Sequence, residues 1–275
     1  MLRRRISKIG SVVAMALGVV AMGATAAQAQ TIIWQTSVDL FTGGNNANFV
    51  STNGTLANAI NYTDLLDAEF SPTLNGVDFV AANAGGTVTG VTGETITLAS
   101  TSDNTGAFGD GAFTGNTPIF NLLSTGAFNI ASVTLDDLVV GNTYEIQIFS
   151  HDARNSRSNA ATGFGDGTGS GPVGLLDLNN NDNGVNINDG TGTATGDFII
   201  GTFTATETSI AFGVYGDADI TDNGGVPNFA TANSQSAINA IQLRTTAVAA
   251  EAIPEPSSLA LLGLMGLGMA ARRRK

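Results

Sequence analysis

Few residues in this 275-residue chain could do chemistry, and the densest group of them is oxygen-rich. Asp177-Leu178-Asn179-Asn180-Asn181-Asp182-Asn183-Gly184 runs on to Asn188-Asp189-Gly190. Calcium takes about six to eight oxygen ligands, and alternate positions of a tight loop can converge on one ion. Asp177, Asn179, Asn181 and Asp182 are therefore candidate ligands, and calcium is the one cofactor the residues could hold; none is required. Amides occupy positions where a calcium loop carries carboxylates, and the twelfth position is Gly190. The pattern thus reads either as a weak calcium site or as a solvated polar loop. Asp217, Asp219 and Asp222, ahead of Asn223-Gly224, form a second cluster of the same kind.

Catalytic groups are scarcer still. His151 is the only histidine, which excludes histidine-pair metal sites, and no Gly-x-Ser-x-Gly elbow accompanies it. A hydrogen bond at a loop edge is the expected role for His151. Glu69, Glu94, Glu145 and Glu207 are too scattered to nominate as a glycosidase pair, so the chain reads as a non-enzyme. For ligand binding the candidates are Trp34, Arg154 and Arg157. A pyranose stacks on an exposed aromatic ring, and an arginine fork can grip a saccharide carboxylate; both arginines could equally pair with nearby aspartates. Tyr144 and Tyr215 read as core residues, in phase with aliphatic neighbours, whereas Trp34 is undecided.

The elements that must position these residues read as strands between turns. Thr31 to Val38 is a first strand, ended by Gly43-Gly44-Asn45-Asn46. Asn53 to Phe70 allows a short helix or an irregular stretch. Asn75-Gly76 precedes a short strand at Val77 to Val80, and Val88 to Val91 with Glu94 to Leu98 forms a hairpin about Thr92-Gly93. Gly141-Asn142 turns into Thr143 to Ser150, where Tyr144, Ile146 and Ile148 alternate with Glu145 and Gln147, the period of a half-buried strand. Phe198 to Thr204 and Ser209 to Tyr215 flank Thr206-Glu207-Thr208, and Ile238 to Leu243 closes the domain. Many short strands without helical partners predict an all-β fold, a two-sheet antiparallel β-sandwich.

Both ends carry addresses. Arg3, Arg4, Arg5 and Lys8, an apolar stretch from Ile9 to Ala24, and Ala27-Gln28-Ala29 make a signal peptide over 1–29, cut by signal peptidase. At the other end Pro254-Glu255-Pro256 leads to a charge-free run, Leu259 to Ala271, interrupted by Gly263, Gly266 and Gly268. At about 20 Å as a helix, the run is short for a permanent span. Arg272, Arg273, Arg274 and Lys275 form a cationic stop that would hold the tail on the cytoplasmic side.

That three-part tail, over residues 253–275, resembles the PEP-CTERM sorting signal of Gram-negative envelope proteins. The resemblance implies a transient stay in the membrane through an apolar sorting helix, cutting near Pro254-Glu255-Pro256 by an exosortase-type membrane protease, and delivery to the cell envelope or extracellular surface. Asn75 to Phe79, Leu138 to Arg154 and Ile238 to Arg244 resemble, in order, secreted bacterial jelly-roll domains related to the galactose-binding-like sandwiches. That likeness implies architecture over residues 30–246, with 247–252 as a linker, more than any activity.

Without its two ends the chain changes electrostatic character. Residues 30–252 hold 22 acids against three bases, Arg154, Arg157 and Arg244, leaving a formal charge of −19 and no lysine. Nucleic acid is not an expected partner, since binding it rests on basic groups neutralising phosphate. There is no cysteine, so stability must come from an ordinary core. The expected protein is a secreted surface or matrix component with a structural or adhesive role, associated with exopolysaccharide. The alternative is a carbohydrate-binding module with a defined, calcium-assisted site.

Overall fold

The computed structural model describes residues 30–35, 37–40, 49–64, 70–100, 106–107, 117–151, 161–168, 185–186, 197–217 and 236–248. Its strands, in chain order, begin with β1 (Ile33–Trp34), β2 (Val38–Asp39), β3 (Thr55–Tyr62), β4 (Thr73–Leu74), β5 (Val77–Asp78), β6 (Val80–Ala82), β7 (Thr87–Thr89), β8 (Thr95–Ser100) and β9 (Gly106–Ala107). A seven-residue helix, α1 (Thr117–Leu123), precedes β10 (Thr125–Phe128), β11 (Ile130–Asp136), β12 (Thr143–Ser150) and β13 (Ala161–Phe164). Then come β14 (Val185–Asn186), β15 (Asp197–Thr204), β16 (Ile210–Asp217), β17 (Ala237–Ile238) and β18 (Ala240–Ala247).

Two sheets face each other. The larger has the order β1-β15-β12-β18-β3-β6, with β2 also paired to β15; the smaller runs β14-β13-β16-β11-β8-β7. Pairing is antiparallel except between β3 and β6. Between the sheets lies a core of Tyr62, Ile60, Tyr144, Ile146, Ile148 and Leu243 against Ile96, Leu98, Val133, Leu135, Phe212 and Val214. The all-β sandwich expected from the sequence is what forms. β15 and β16, joined across Thr206-Glu207-Thr208, lie in different sheets, so that short connection crosses the sandwich.

The larger sheet is also covered on its outer face, which explains several departures from expectation. Leu74, Val77 and Phe79, with Ile119, Leu122 and Leu123 of α1, pack on Ala59, Phe149, Phe198 and Ala240. β12 is consequently buried on both faces, Glu145 and Gln147 included, and is not half-buried. The stretch from Asn53 allowed as helix or irregular chain holds β3, inside the sheet between β18 and β6. In β3, buried on both faces over Ala57 to Tyr62, small residues and asparagines leave no polar–apolar alternation by which a strand announces itself. The first strand is two short pieces, β1 and β2, both on β15. Helix α1 has no counterpart among the expected elements; Pro118 at its second residue fits a first-turn position, where its missing N–H costs nothing. The sorting segment 253–275 lies outside the described residues.

The strand directions give the sandwich two unlike ends. One end gathers the start of β3, the β7–β8, β11–β12 and β15–β16 turns, and the end of β18, from which the chain leaves. The other gathers the ends of β3, β8, β12 and β16 and the start of β15.

Candidate functional site

At the end of the sandwich remote from the chain exit, a polar knot joins four elements. Asn239, fully buried between β17 and β18, accepts from the His151 N–H through Oδ1 at 2.5 Å. Its Nδ2 donates to the Leu123 and Thr125 carbonyls at 2.9 and 2.7 Å, which fixes α1 and β10 to the sheet. Asn61, beside it on β3, donates to Phe70 O and Asn121 O, both at 2.9 Å. Ser150 Oγ donates to Ala237 O at 2.6 Å, and Ser236 Oγ bridges the Ile130 N–H and C=O. These are short polar side chains terminating strands, which is how buried backbone groups beyond a ladder find partners.

His151 sits inside this knot, fully buried, where loss of hydration pushes its imidazole down to about 4. The loop-edge placement expected for it thus becomes an interior one. The sign of the pH effect follows. Between about pH 6.5 and 4 the unfolded chain binds a proton that the native state rejects, so stability is full above the unfolded value and falls as pH drops toward 4. The loss should reach about 3 kcal/mol. Urea unfolding of the wild type and His151→Gln at pH 7 and pH 4 isolates it: the wild type should lose that much more than the variant, and equal losses would remove His151 from the account.

A second polar group lies under residues 49–54, which strap the outer face of the larger sheet near the chain exit. Ser51 Oγ and Asn53 Nδ2 donate to the two Glu145 carboxylate oxygens, the latter at 3.0 Å. Gln147 accepts from the Ser51 N–H at 2.9 Å and donates to Phe49 O at 2.7 Å. Arg244, opposite Glu145 across the β12–β18 ladder, donates from Nε to Asn53 O and from Nη2 to Gly54 O, at 2.8 and 2.9 Å. Burial lowers the guanidinium pKa, and the Glu145 charge works against that lowering. Carboxylate and guanidinium alike are occupied in holding the strap. A third group, between the sheets at the same end, links Tyr144 Oη to Glu94 Oε1 at 3.1 Å, while the Val139 N–H donates to that phenol at 2.8 Å.

Trp34, the candidate sugar-stacking ring whose role the sequence leaves undecided, packs against two other aromatic rings. Trp34 is half-buried, 5.4 Å from Phe164 and 5.5 Å from Phe212 between ring centroids, and its Nε1 donates to Gly165 O at 2.9 Å. Gly201, its partner on β15, leaves the room: a Cβ there would stand 2.7 Å from Trp34 Cε3 and Cζ3. Gly201→Ala should therefore displace the indole and cost about 1–3 kcal/mol. Trp34 is the chain's only tryptophan, so a red shift of its emission together with a lower urea midpoint would report the change; an unmoved spectrum would contradict the packing.

Tyr215 corrects the sequence reading in the opposite direction. Phe212 and Val214 point into the core, so Tyr215, one residue out of phase, falls on the outer face of the smaller sheet, half-buried. Its phenol lies back over Gly213, where a Cβ would meet the hydroxyl at 2.7 Å. The same face carries Thr87, Thr89, Thr95, Thr97, Ser132 and Thr134, none of them buried. Alternation about Phe212 was the signal that could have placed Tyr215 correctly.

Asp177, Asn179, Asn181 and Asp182, Arg154 and Arg157, Pro254, Glu255 and Pro256, and Arg272, Arg273 and Arg274 lie outside the described residues. Among the described residues, no group of three or more histidine, cysteine, aspartate or glutamate side chains could hold a metal ion, and no helix is long and apolar enough to cross a membrane.

Residues 252–275 match the PEP-CTERM protein-sorting motif. The chain matches no curated protein and no solved structure, and the likeness of its strands to galactose-binding-like domains gains no support from the comparisons. The matched signal makes this a secreted, cell-envelope-associated protein processed by an exosortase, a membrane protease.

Proposed function

We propose that the protein is a non-enzymatic component of the cell surface or extracellular matrix, structural or adhesive in role and associated with exopolysaccharide. The sorting motif at 252–275 carries this reading, because it defines a destination. The fold supports it physically. Glu145, Arg244, Glu94 and Asn239 each make hydrogen bonds within the domain, which tie its strands and turns into a durable scaffold. The tail leaves from one end of the sandwich, so a chain tethered there presents its other end and its faces outward. The acidic mature region suits neutral or cation-bridged polysaccharide better than anionic partners.

Co-sedimentation of the mature chain with the producing cells' own exopolysaccharide tests the proposal. Retention in the polymer pellet is expected; complete recovery in the supernatant, with the matrix unchanged in a strain lacking the protein, would overturn it.

Tyr215 favours a second reading, a carbohydrate-binding module using the hydroxyl-rich outer face of the smaller sheet. Binding to a defined glycan on an array, lost in Tyr215→Ala with the urea midpoint retained, would promote that reading above the first. Uniformly blank arrays would end it.

A further inference from the structure

The end of the sandwich from which the chain departs exposes four valines among its turns. Val91 in the β7–β8 turn and Val248 after β18 are 80% and 76% exposed; Val139 and Val140 in the β11–β12 turn are 53% and 52% exposed. Hydrogen bonds place them together. The Val91 N–H donates to Ala57 O near the start of β3, and the adjoining Glu94 accepts from Tyr144, whose hydroxyl accepts from the Val139 N–H. Gly141 N–H donates to Ala205 O in the next turn, and Thr143 stands opposite Ala247, which brings Val248 beside the β11–β12 turn.

We propose that this end is a bilayer-facing surface, resting on the interface of a zwitterionic membrane while the C-terminal segment is inserted. The inference rests on the sorting reading, and chain length argues for the occupant. Ten residues lie between Val248 and Leu259, where the apolar run begins. Fully extended they reach at most about 36 Å. Turning the opposite end to the bilayer would consume about 27 Å of that in doubling back along one eight-residue strand. A tether this short also holds the valines near the interface at an effective concentration on the order of millimolar, enough to populate a contact too weak to form from solution. Asp136, Asp137 and Glu207 share this end, so the fit is to headgroups without net charge, and an anionic surface would repel it. Isolated exposed valines need no explanation; four from two turns and the exit strand, gathered on the tethered end, do.

The absence of cysteine makes the test clean. Val91→Cys, Val140→Cys, Ala99→Cys and Leu264→Cys, each made singly in the chain from Gln30 to Lys275 with its sorting tail uncut and labelled with an environment-sensitive fluorophore, are reconstituted into phosphatidylethanolamine–phosphatidylcholine vesicles bearing a lipid-attached quencher. Ala99 is exposed near the opposite end of β8, and Leu264 reports insertion of the tail. The expected result is a blue shift and loss of emission at 91, 140 and 264, with 99 remaining aqueous. A quenched label at 264 with 91 and 140 behaving like 99 would overturn the surface alone. An aqueous label at 264 would overturn the membrane-tether reading and the surface with it.

Discussion

Asn239→Ala should destabilise the sandwich by about 3 to 5 kcal/mol. The substitution strips partners from the His151 N–H and from the carbonyls of Leu123 and Thr125 at once, in a region closed to water. Each buried group so orphaned costs about 1–3 kcal/mol, and the three are not independent, which keeps the total below their sum. The effect should also be directional. Because Asn239 ties α1 and β10 to β12, hydrogen exchange in Thr125–Phe128 should accelerate before exchange in β11 or β16. As a reference, Thr97→Ala, which removes one exposed hydroxyl contact with Thr87 at 2.8 Å, should stay within about 0.5 kcal/mol. Equal urea midpoints for Asn239→Ala and Thr97→Ala would dismantle the account of how this end of the domain is held.

Gly90→Ala should be at least as damaging, at about 3 kcal/mol or more, for a steric reason. A Cβ at Gly90 would lie 2.0 Å from the Ala57 carbonyl oxygen and 2.8 Å from Asn58 Cβ, neither of which a side-chain rotation can move. Relief requires the β7–β8 turn to back away from β3. That motion breaks the bond from the Val91 N–H to Ala57 O at 2.9 Å and the bond from Asn58 Nδ2 to Val88 O at 2.8 Å. Gly76 provides the contrast: an added methyl there would find nothing within 4 Å, but the residue has a φ of +75°, so alanine costs only the left-handed penalty of about 1–2 kcal/mol. Thermal unfolding of the two variants side by side should rank Gly90→Ala well below Gly76→Ala. The reverse order would mean that the turn is not seated against β3.

How much of this could be read from residues alone depends on whether an element carries its own turn signal and its own alternation. β12 was legible because Gly141-Asn142 marks its start and Tyr144, Ile146 and Ile148 alternate along it. The β7–β8 hairpin was legible because Thr92-Gly93 supplies its turn, with Gly93 at a φ of +106°. β3 was not: Ala57, Ala59 and Ile60 mingle with Asn58 and Asn61, and those asparagines are buried because distant carbonyls at Val88, Phe70 and Asn121 need donors. No local pattern announces a demand set by another part of the chain. Glu145 shows the same limit, since its alternation was right and its solvent was replaced by Ser51 and Asn53. Trp34, undecided from the sequence, packs against Phe164 and Phe212, and Tyr215, expected in the core, falls on an outer face; the neighbours that make room for them, Gly201 and Gly213, are glycines. The sorting segment needed no tertiary information, because it acts through order, spacing and position in the chain.

The most direct test of the central claim is the mass of the protein recovered from matched cells with and without their exosortase. With the protease present, the chain at the cell surface should have lost its apolar run and arginine stop, ending near Pro254-Glu255-Pro256, and should unfold with the same urea midpoint as residues 30–250 made alone. Without it, the uncut chain should stay with the membrane fraction. An intact C-terminus through Lys275 in both cells, at the same location, would contradict the account.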